Sequence, residues 1–489
     1  MAGFNKVKVR GPQAVSYEGG SVYEKSPIDE WMNMLFSSFM EKGFYESAET
    51  QQNRFIELTD KIADAYGYEF VAKAAVFARN ELGMRSISQL TAAWLNAKSF
   101  QHKRDFYRAF MHRPDDVAEI FAAIDYLKGK RSHALVRGAC DYIKGLNENT
   151  LAKYKLNSRD YNMFDLISIT HAHSKAIAQL EAGTLAPADT WEVKVSGAAD
   201  KDERNQEWKR LVEERKLGYM ALIRNLNNIL AIPNINNQWI KDILVPQIVN
   251  ESNIHRSLMF PYRFYTAYRN LDIQNPYVVE ALGEAFAIAA VHNAPQLEGS
   301  SAIILDVSGS MEDHISANSN ITIKQVGACF AIALWLANPA CPVIKFGTHA
   351  RLMTNLSLIE NPFILIDRLC ANDNCGYSTE IVPAFKLLDQ EVRRDTYKRI
   401  FIISDMQVMD DSPYQYYWRN NGSVVKNYHS YFGMMPCYSF DLGNYHTQIL
   451  SSQDHIRYVT SLNDQVFKFI GLLESGVNLV DYINRVNYY

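Results

Sequence analysis

The chain has few of the features that would settle a function outright. In 489 residues there is no run of about eighteen uncharged apolar side chains, so no membrane span and no membrane partner are expected. The opening M-A-G-F-N-K-V-K-V-R lacks the apolar core of a secretory signal. Six cysteines are too few for a disulfide framework, which predicts a reduced, cytoplasmic setting. With 24 Gly and 15 Pro, collagen-like and low-complexity scaffolds are excluded. The phosphate-cradling patterns G-x-x-x-x-G-K-[ST] and G-x-G-x-x-G are absent, as is the nucleophile elbow G-x-S-x-G. Cys370 and Cys375 have no second Cys/His pair to complete a zinc site.

What remains is ordinary globular material, 47% hydrophobic and 21% charged, enough for two to four domains. Net charge is −4, but it is unevenly spread: residues from Glu298 onward are acidic in balance, whereas Lys98 to Lys144 is basic. That local excess fits either a nucleic-acid surface or a set of solvated helix faces, and charge alone leaves both open.

Apolar residues recur at three- and four-residue steps from residue 28 to about 290, as in Ile28, Trp31, Leu35 and Phe39. Ser26-Pro27 supplies a start signal, Ser as cap and Pro in the first turn. Helix after helix without strands predicts stacked helical hairpins of the solenoid type, with no strict sequence period. The polar stretch Gly183–Lys209 reads as a long surface excursion between helices.

The texture changes near His292-Asn293-Ala294-Pro295. Short apolar strands then alternate with helices, beginning with S-A-I-I-L, which predicts a mainly parallel, doubly wound α/β sheet. The expected organisation is an N-terminal extension over residues 1–25, an all-α helical-repeat domain over 26–292 and an α/β domain over 298–489.

Directly after the first strand comes Asp306-Val307-Ser308-Gly309-Ser310. Gly309 lets this loop turn tightly enough for its two hydroxyls to converge. Thr379, in C-G-Y-S-T-E, and Asp405, in I-I-S-D, follow at later strand-to-helix loops. Hydroxyls with few carboxylates suit a hard divalent cation, Mg2+ most naturally. Ser308, Ser310 and Thr379 are the expected direct ligands, with Asp306 and Asp405 ligating or accepting hydrogen bonds from bound water. Such an ion stays net positive and short of one ligand, which an acidic group of a protein partner can supply. The constellation resembles the metal-ion-dependent adhesion site of a von Willebrand factor A domain. A hydrolytic reading needs a general base near Asp306–Ser310, and none is evident.

In the helical part, Lys128–His173 mixes cations with tyrosines: Arg131, Arg137, Lys153, Lys155, Arg159 and His171 beside Tyr154 and Tyr161. Phosphates with stacked bases would suit that mixture, and so would solvent. The stretches A-R-N-E-L-G-M-R, L-A-K-Y-K, D-L-I-S-I-T-H, T-W-E-V-K-V-S-G and Y-M-A-L-I-R-N-L-N-N-I occur in an order similar to the Ro autoantigen family, whose TROVE module takes its name from telomerase, Ro and vault. The resemblance extends over nearly the whole chain. It implies a ring of HEAT-like repeats followed by the von Willebrand factor A-like domain. It implies a non-catalytic RNA-binding scaffold that holds small structured (Y-like) non-coding RNA outside the ring and 3′ ends of misfolded RNA in its hole. Lys153, Arg159 and His171 match the family's Y RNA contacts, although D-Y-N-M stands where the family has G-W-S. Lys155, Arg131 and Arg137 are added from charge and position. An exoribonuclease tethered through the RNA is a further implied partner. The alternative is a protein-interaction module in which the metal site captures an acidic ligand.

Overall fold

The computed structural model describes residues 14–15, 21–24, 26–37, 48–154, 156–157, 159–186, 191–294, 297–315, 319–407, 424–442, 447–448, 450, 455–459, 467, 470–471, 474 and 479–489. By internal contacts the chain forms two compact units. One joins residues 34–41, 46–211 and 475–489; the other joins 1–33, 42–45 and 212–474. This grouping cuts across the division at 292/298, because the helices after Val212 associate with the sheet and the last fifteen residues with the first helices.

The first unit is helical. Pro27–Ser37 leads into it and begins as the sequence indicates, with Ser26 Oγ accepting from the Asp29 amide at 3.2 Å. Helices Tyr68–Asn80, Ser86–Leu95, Lys103–Phe110, Pro114–Tyr126 and His133–Lys144 then interlock, Ser86–Leu95 packing on Pro114–Tyr126 and Lys103–Phe110 on His133–Lys144, each burying an apolar stripe. Gly138 permits the closest approach: a Cβ there would lie 2.7 Å from Tyr107 Cβ and 2.9 Å from the Arg104 carbonyl oxygen. The C-terminal helix Leu479–Asn484 belongs here too, with Lys73 Nζ donating to the Asn484 carbonyl at 2.8 Å and Phe77 against Tyr482.

A buried polar hub ties these helices together. Asp116 is fully buried and accepts from Arg79 (3.1 and 2.8 Å), Gln89 (2.8 Å) and the amides of His112 and Arg113. Burial alone would raise its pKa, but the Arg79 guanidinium and the other donors outweigh it and hold the carboxyl below its usual range.

The stretch Gly183–Lys209 is largely exposed among its described residues, as its polarity predicts, yet it is not an irregular excursion between helices. It contains the helix Trp191–Ser196 and most of Lys201–Glu213. Trp191 packs on Trp208 with ring centroids 5.5 Å apart, and Trp208, Leu211 and Val212 are buried. A few large apolar anchors suffice to seat an otherwise polar helix.

The second unit carries helices Glu251–Ser257, Pro261–Arg269 and Pro276–Asn293 and a six-stranded sheet. Its strands are β1 Ser301–Asp306, β2 Val343–Phe346, β3 Ala350–Leu352, β4 Arg399–Ser404, β5 Cys437–Asp441 and β6 Ile456–Val459. The spatial order is β3-β2-β1-β4-β5-β6, parallel except for β3. Helices such as Ile323–Ala337 and Val382–Glu391 cover the sheet, and β1 and β4 are buried throughout, as expected for a sheet covered on both faces. Short strands at Ala14–Val15, Ser21–Glu24 and Thr447–Gln448 form a separate antiparallel trio. No helix among the described residues is long and apolar enough to cross a membrane.

The Asp116 hub supports a stability prediction. Asp116→Ala leaves the Arg79 guanidinium buried without its counter-charge and should cost about 3–5 kcal/mol, read as a lowered urea midpoint. The exposed Arg104–Asp141 pair is the control, and Arg104→Ala should shift the midpoint far less.

Candidate functional site

The order of the sheet reverses between β1 and β4, and open parallel sheets bind ligands at the carboxyl ends of the strands flanking that point. Asp306 closes β1 and Asp405 follows β4, so two carboxylates stand side by side there, both fully buried. Asp306 Oδ1 accepts from the Ser308 amide at 2.9 Å, and Oδ2 from the Ser404 hydroxyl at 2.6 Å. Asp405 Oδ1 accepts from the Gln407 amide at 3.1 Å, while its Oδ2 is buried and has no hydrogen-bond partner. The hydroxyls of Ser308 and Ser310 lie 3.3 Å apart.

Electrostatics mark the same spot. Burial raises the pKa of both carboxyls, and for Asp405 the neighbouring Asp306 adds to the rise, with Ser310 opposing it. Lys324, whose charge acts on Asp306, is itself paired with Glu312. Two buried carboxylates, one with an orphan oxygen, and two converging hydroxyls form a hard-oxygen donor set short of positive charge. A divalent cation fits it. Among the described residues no group of three or more His, Cys, Asp or Glu side chains converges, so any ion here would be held largely by hydroxyls and water.

Thr379 stands on an adjoining loop. Tyr377 accepts from the Gly309 amide at 2.9 Å, which fastens the loop 375–380 to the loop 306–310, and Thr379 itself is buried. On its other side the loop meets the segment after β2: the Glu380 amide donates to the Gly347 carbonyl at 3.0 Å and the His349 amide to that of Cys375 at 2.7 Å. A Cβ at Gly347 would sit 2.4 Å from the Gly376 carbonyl oxygen. The structure thus brings Asp306, Ser308, Ser310 and Asp405 into direct contact range and sets Thr379 on the next loop.

The cations proposed for RNA are placed unequally. Arg131 is half-buried, bonded to Asp125 at 2.9 Å and to the Tyr161 hydroxyl, with its guanidinium 4.9 and 5.0 Å from the ring centroids of Phe121 and Tyr161. Arg159 is paired with Glu119. Both charges are therefore answered within the fold. Arg137 is exposed, with no ion-pair or hydrogen-bond partner among the described residues. His171 is exposed in a left-handed conformation at the end of Met163–Thr170. Lys153 is exposed at the end of Glu148–Lys153, its ammonium 5.7 Å from the Tyr154 ring centroid. Lys155 lies outside the described residues. Beside this cluster Asp125, Asp160, Asp165, Tyr126 and Tyr161 line an open cleft of about 620 Å3, an acidic surface that composition counts do not show.

A family model for the TROVE domain matches residues 181–277. Among curated proteins, telomerase protein component 1 of Mus musculus is 24% identical, the match covering 42% of this chain and 11% of that protein. The chain thus spans about a ninth of the length of that relative. Among solved structures, the crystal structure of the Deinococcus radiodurans Ro (RSR) protein matches with a TM-score of 0.64 at 14% identity, over 92% of this chain and 100% of that one. At that identity the likeness is one of fold.

The unpaired Asp405 oxygen predicts a trade between metal and stability. In EDTA, Asp405→Asn removes repulsion from Asp306 and should melt at or above the wild-type temperature. Mg2+ should raise the melting point of the wild type and not of the variant. An unaltered Mg2+ shift in the variant would remove Asp405 from the site.

Proposed function

We propose that this chain, a TROVE protein with the fold of a Ro protein, is a non-catalytic RNA-binding scaffold. The observation that carries the reading is Arg137, an exposed arginine with no ion-pair or hydrogen-bond partner among the described residues, with Lys153 and His171 exposed at two helix ends of the same region, where Arg131 and Arg159 are charge-paired. A cation already answered by a carboxylate offers a phosphate little, because the pair must first be broken. The contact set expected from sequence therefore gives Arg137 more weight than Arg131 and Arg159, with Lys153 and His171 retained for their exposure. Arg131 and Arg159 act more to hold Tyr161 and the helix Pro114–Tyr126 in place.

The favoured ligand is a small structured RNA of the Y-like class. Single-stranded 3′ ends of misfolded RNA, and an exoribonuclease joined through the RNA, complete the reading in RNA quality control.

A second reading concerns the sheet. The orphan Asp405 oxygen and the paired serine hydroxyls favour a Mg2+ site held by Ser308, Ser310 and Thr379, with Asp306 and Asp405 beside them. Bound there, the ion would supply an electrophilic position for an acidic group of a protein partner.

A filter-binding titration with a structured RNA tests the first reading. The triple variant Arg137→Ala/Lys153→Ala/His171→Ala should fold normally and lose affinity. Its slope of log K against log salt should fall by about two to three, one for each phosphate contact removed. RNA affinity should survive EDTA. Equal affinity and slope in the triple variant would refute the assignment, and loss of RNA binding in EDTA would favour the second reading.

A further inference from the structure

The residue at the middle of β2 is a lysine. Lys345 lies between Ile344 and Phe346 and is fully buried, where a strand inside a parallel sheet is ordinarily apolar. An ammonium in that place is tolerated only when all its donors are met. They are: Nζ donates to the Arg368 carbonyl at 3.1 Å, the Ala371 carbonyl at 2.5 Å and Asp373 Oδ2 at 2.6 Å. Lys345 in turn holds the Asp373 carboxyl below its usual range.

Those three acceptors are the end of the helix Pro362–Cys370 and the start of the loop that leads to Thr379. This loop has no regular structure of its own. Asp373 and Asn374 take positive φ of 45° and 66°, a conformation that L side chains adopt reluctantly. From there the chain is tied at every step. Asn372 Oδ1 accepts from the Gly376 amide at 3.1 Å, and Asn372 Nδ2 donates to the Gly376 carbonyl at 3.0 Å. The Ser378 amide donates to Thr348 Oγ1 at 3.2 Å, and Tyr377 O meets the Gly309 amide. The ties beyond Gly376 are ordinary loop bonds. The anchor at the root is a buried charge.

We infer that Lys345 is a positioning residue for the cation site, fixing the loop 371–380 so that Thr379 faces the ion. The inference rests on the second reading above. A buried lysine kept only for packing stability could be exchanged for methionine, of similar length, at the expense of melting temperature alone. A positioning lysine could not, because its loss frees the loop that carries a ligand. Groups that orient metal ligands typically contribute ten- to a hundredfold in affinity.

The test is calorimetric titration of the full chain with Mn2+, run with melting curves in EDTA and hydrogen exchange of residues 371–380. Lys345→Met should keep its circular dichroism, exchange faster across the loop and bind Mn2+ at least about tenfold more weakly. Asp373→Ala removes a half-exposed acceptor and strands the buried Lys345 ammonium without its counter-charge, so it should melt lower and weaken Mn2+ in the same sense by a smaller factor. If Lys345→Met does not fold, Asp373→Ala decides by the same criteria. Wild-type uptake with unchanged affinity in the variants, whatever their melting temperatures, overturns the role of Lys345 and leaves the cation site standing. A wild-type chain that takes up no Mn2+, like an Asp306→Ala control, overturns the cation reading and this inference with it.

Discussion

Two carboxylates buried next to each other are a problem that a fold has to answer. Like charges a few ångströms apart in a medium of low dielectric repel strongly, and neither can shed the repulsion to water. Asp306 is answered in part by an amide and a serine hydroxyl; Asp405 keeps an oxygen with no partner. Around them the structure gathers four loops, at residues 306–310, 347–349, 375–380 and 404–407, at the point where the sheet order reverses. The bonds among these loops are mostly backbone bonds, so the geometry is carried by the fold rather than by flexible side chains. The proposed cation would answer that repulsion.

Much of this was legible from the chain. A strand that ends in Asp-x-Ser-x-Ser, with Asp405 after a second apolar strand, sets two acidic groups at strand ends, and the doubly wound pattern brings strand ends together. The helical character of the first half and the α/β character of the second were also readable from periodicity. The orphan oxygen of Asp405 was not, because it depends on what fails to reach it. Nor was Lys345: V-I-K-F reads as a strand with one polar residue, and its partners lie 23 to 28 positions away.

The misreading of Gly183–Lys209 has a different origin. Average polarity measures how much of a segment water can have, while seating a helix needs only a few large apolar side chains facing one way. Trp191 and Trp208 supply that contact, and the acidic first turn of Lys201–Glu213 agrees with the helix dipole. The division of the chain near residue 295 followed a real change of texture. Texture reports secondary structure, however, and compactness follows contacts, which carry the helices after Val212 to the sheet and the final residues to the first helices.

The cationic cluster shows most clearly why counting charges is a weak guide to a nucleic-acid surface. Along the sequence Arg131, Arg137, Lys153 and Arg159 look alike. In space Arg131 meets an acid six residues away and Arg159 one forty residues away, and neither keeps a free charge to offer. An exposed arginine whose only neighbours are solvent pays no such penalty on meeting a phosphate; it exchanges water and counterions for the contact. The useful quantity is thus the unanswered charge rather than the formal one. By that measure Arg137 weighs more in the proposed RNA reading than the paired arginines.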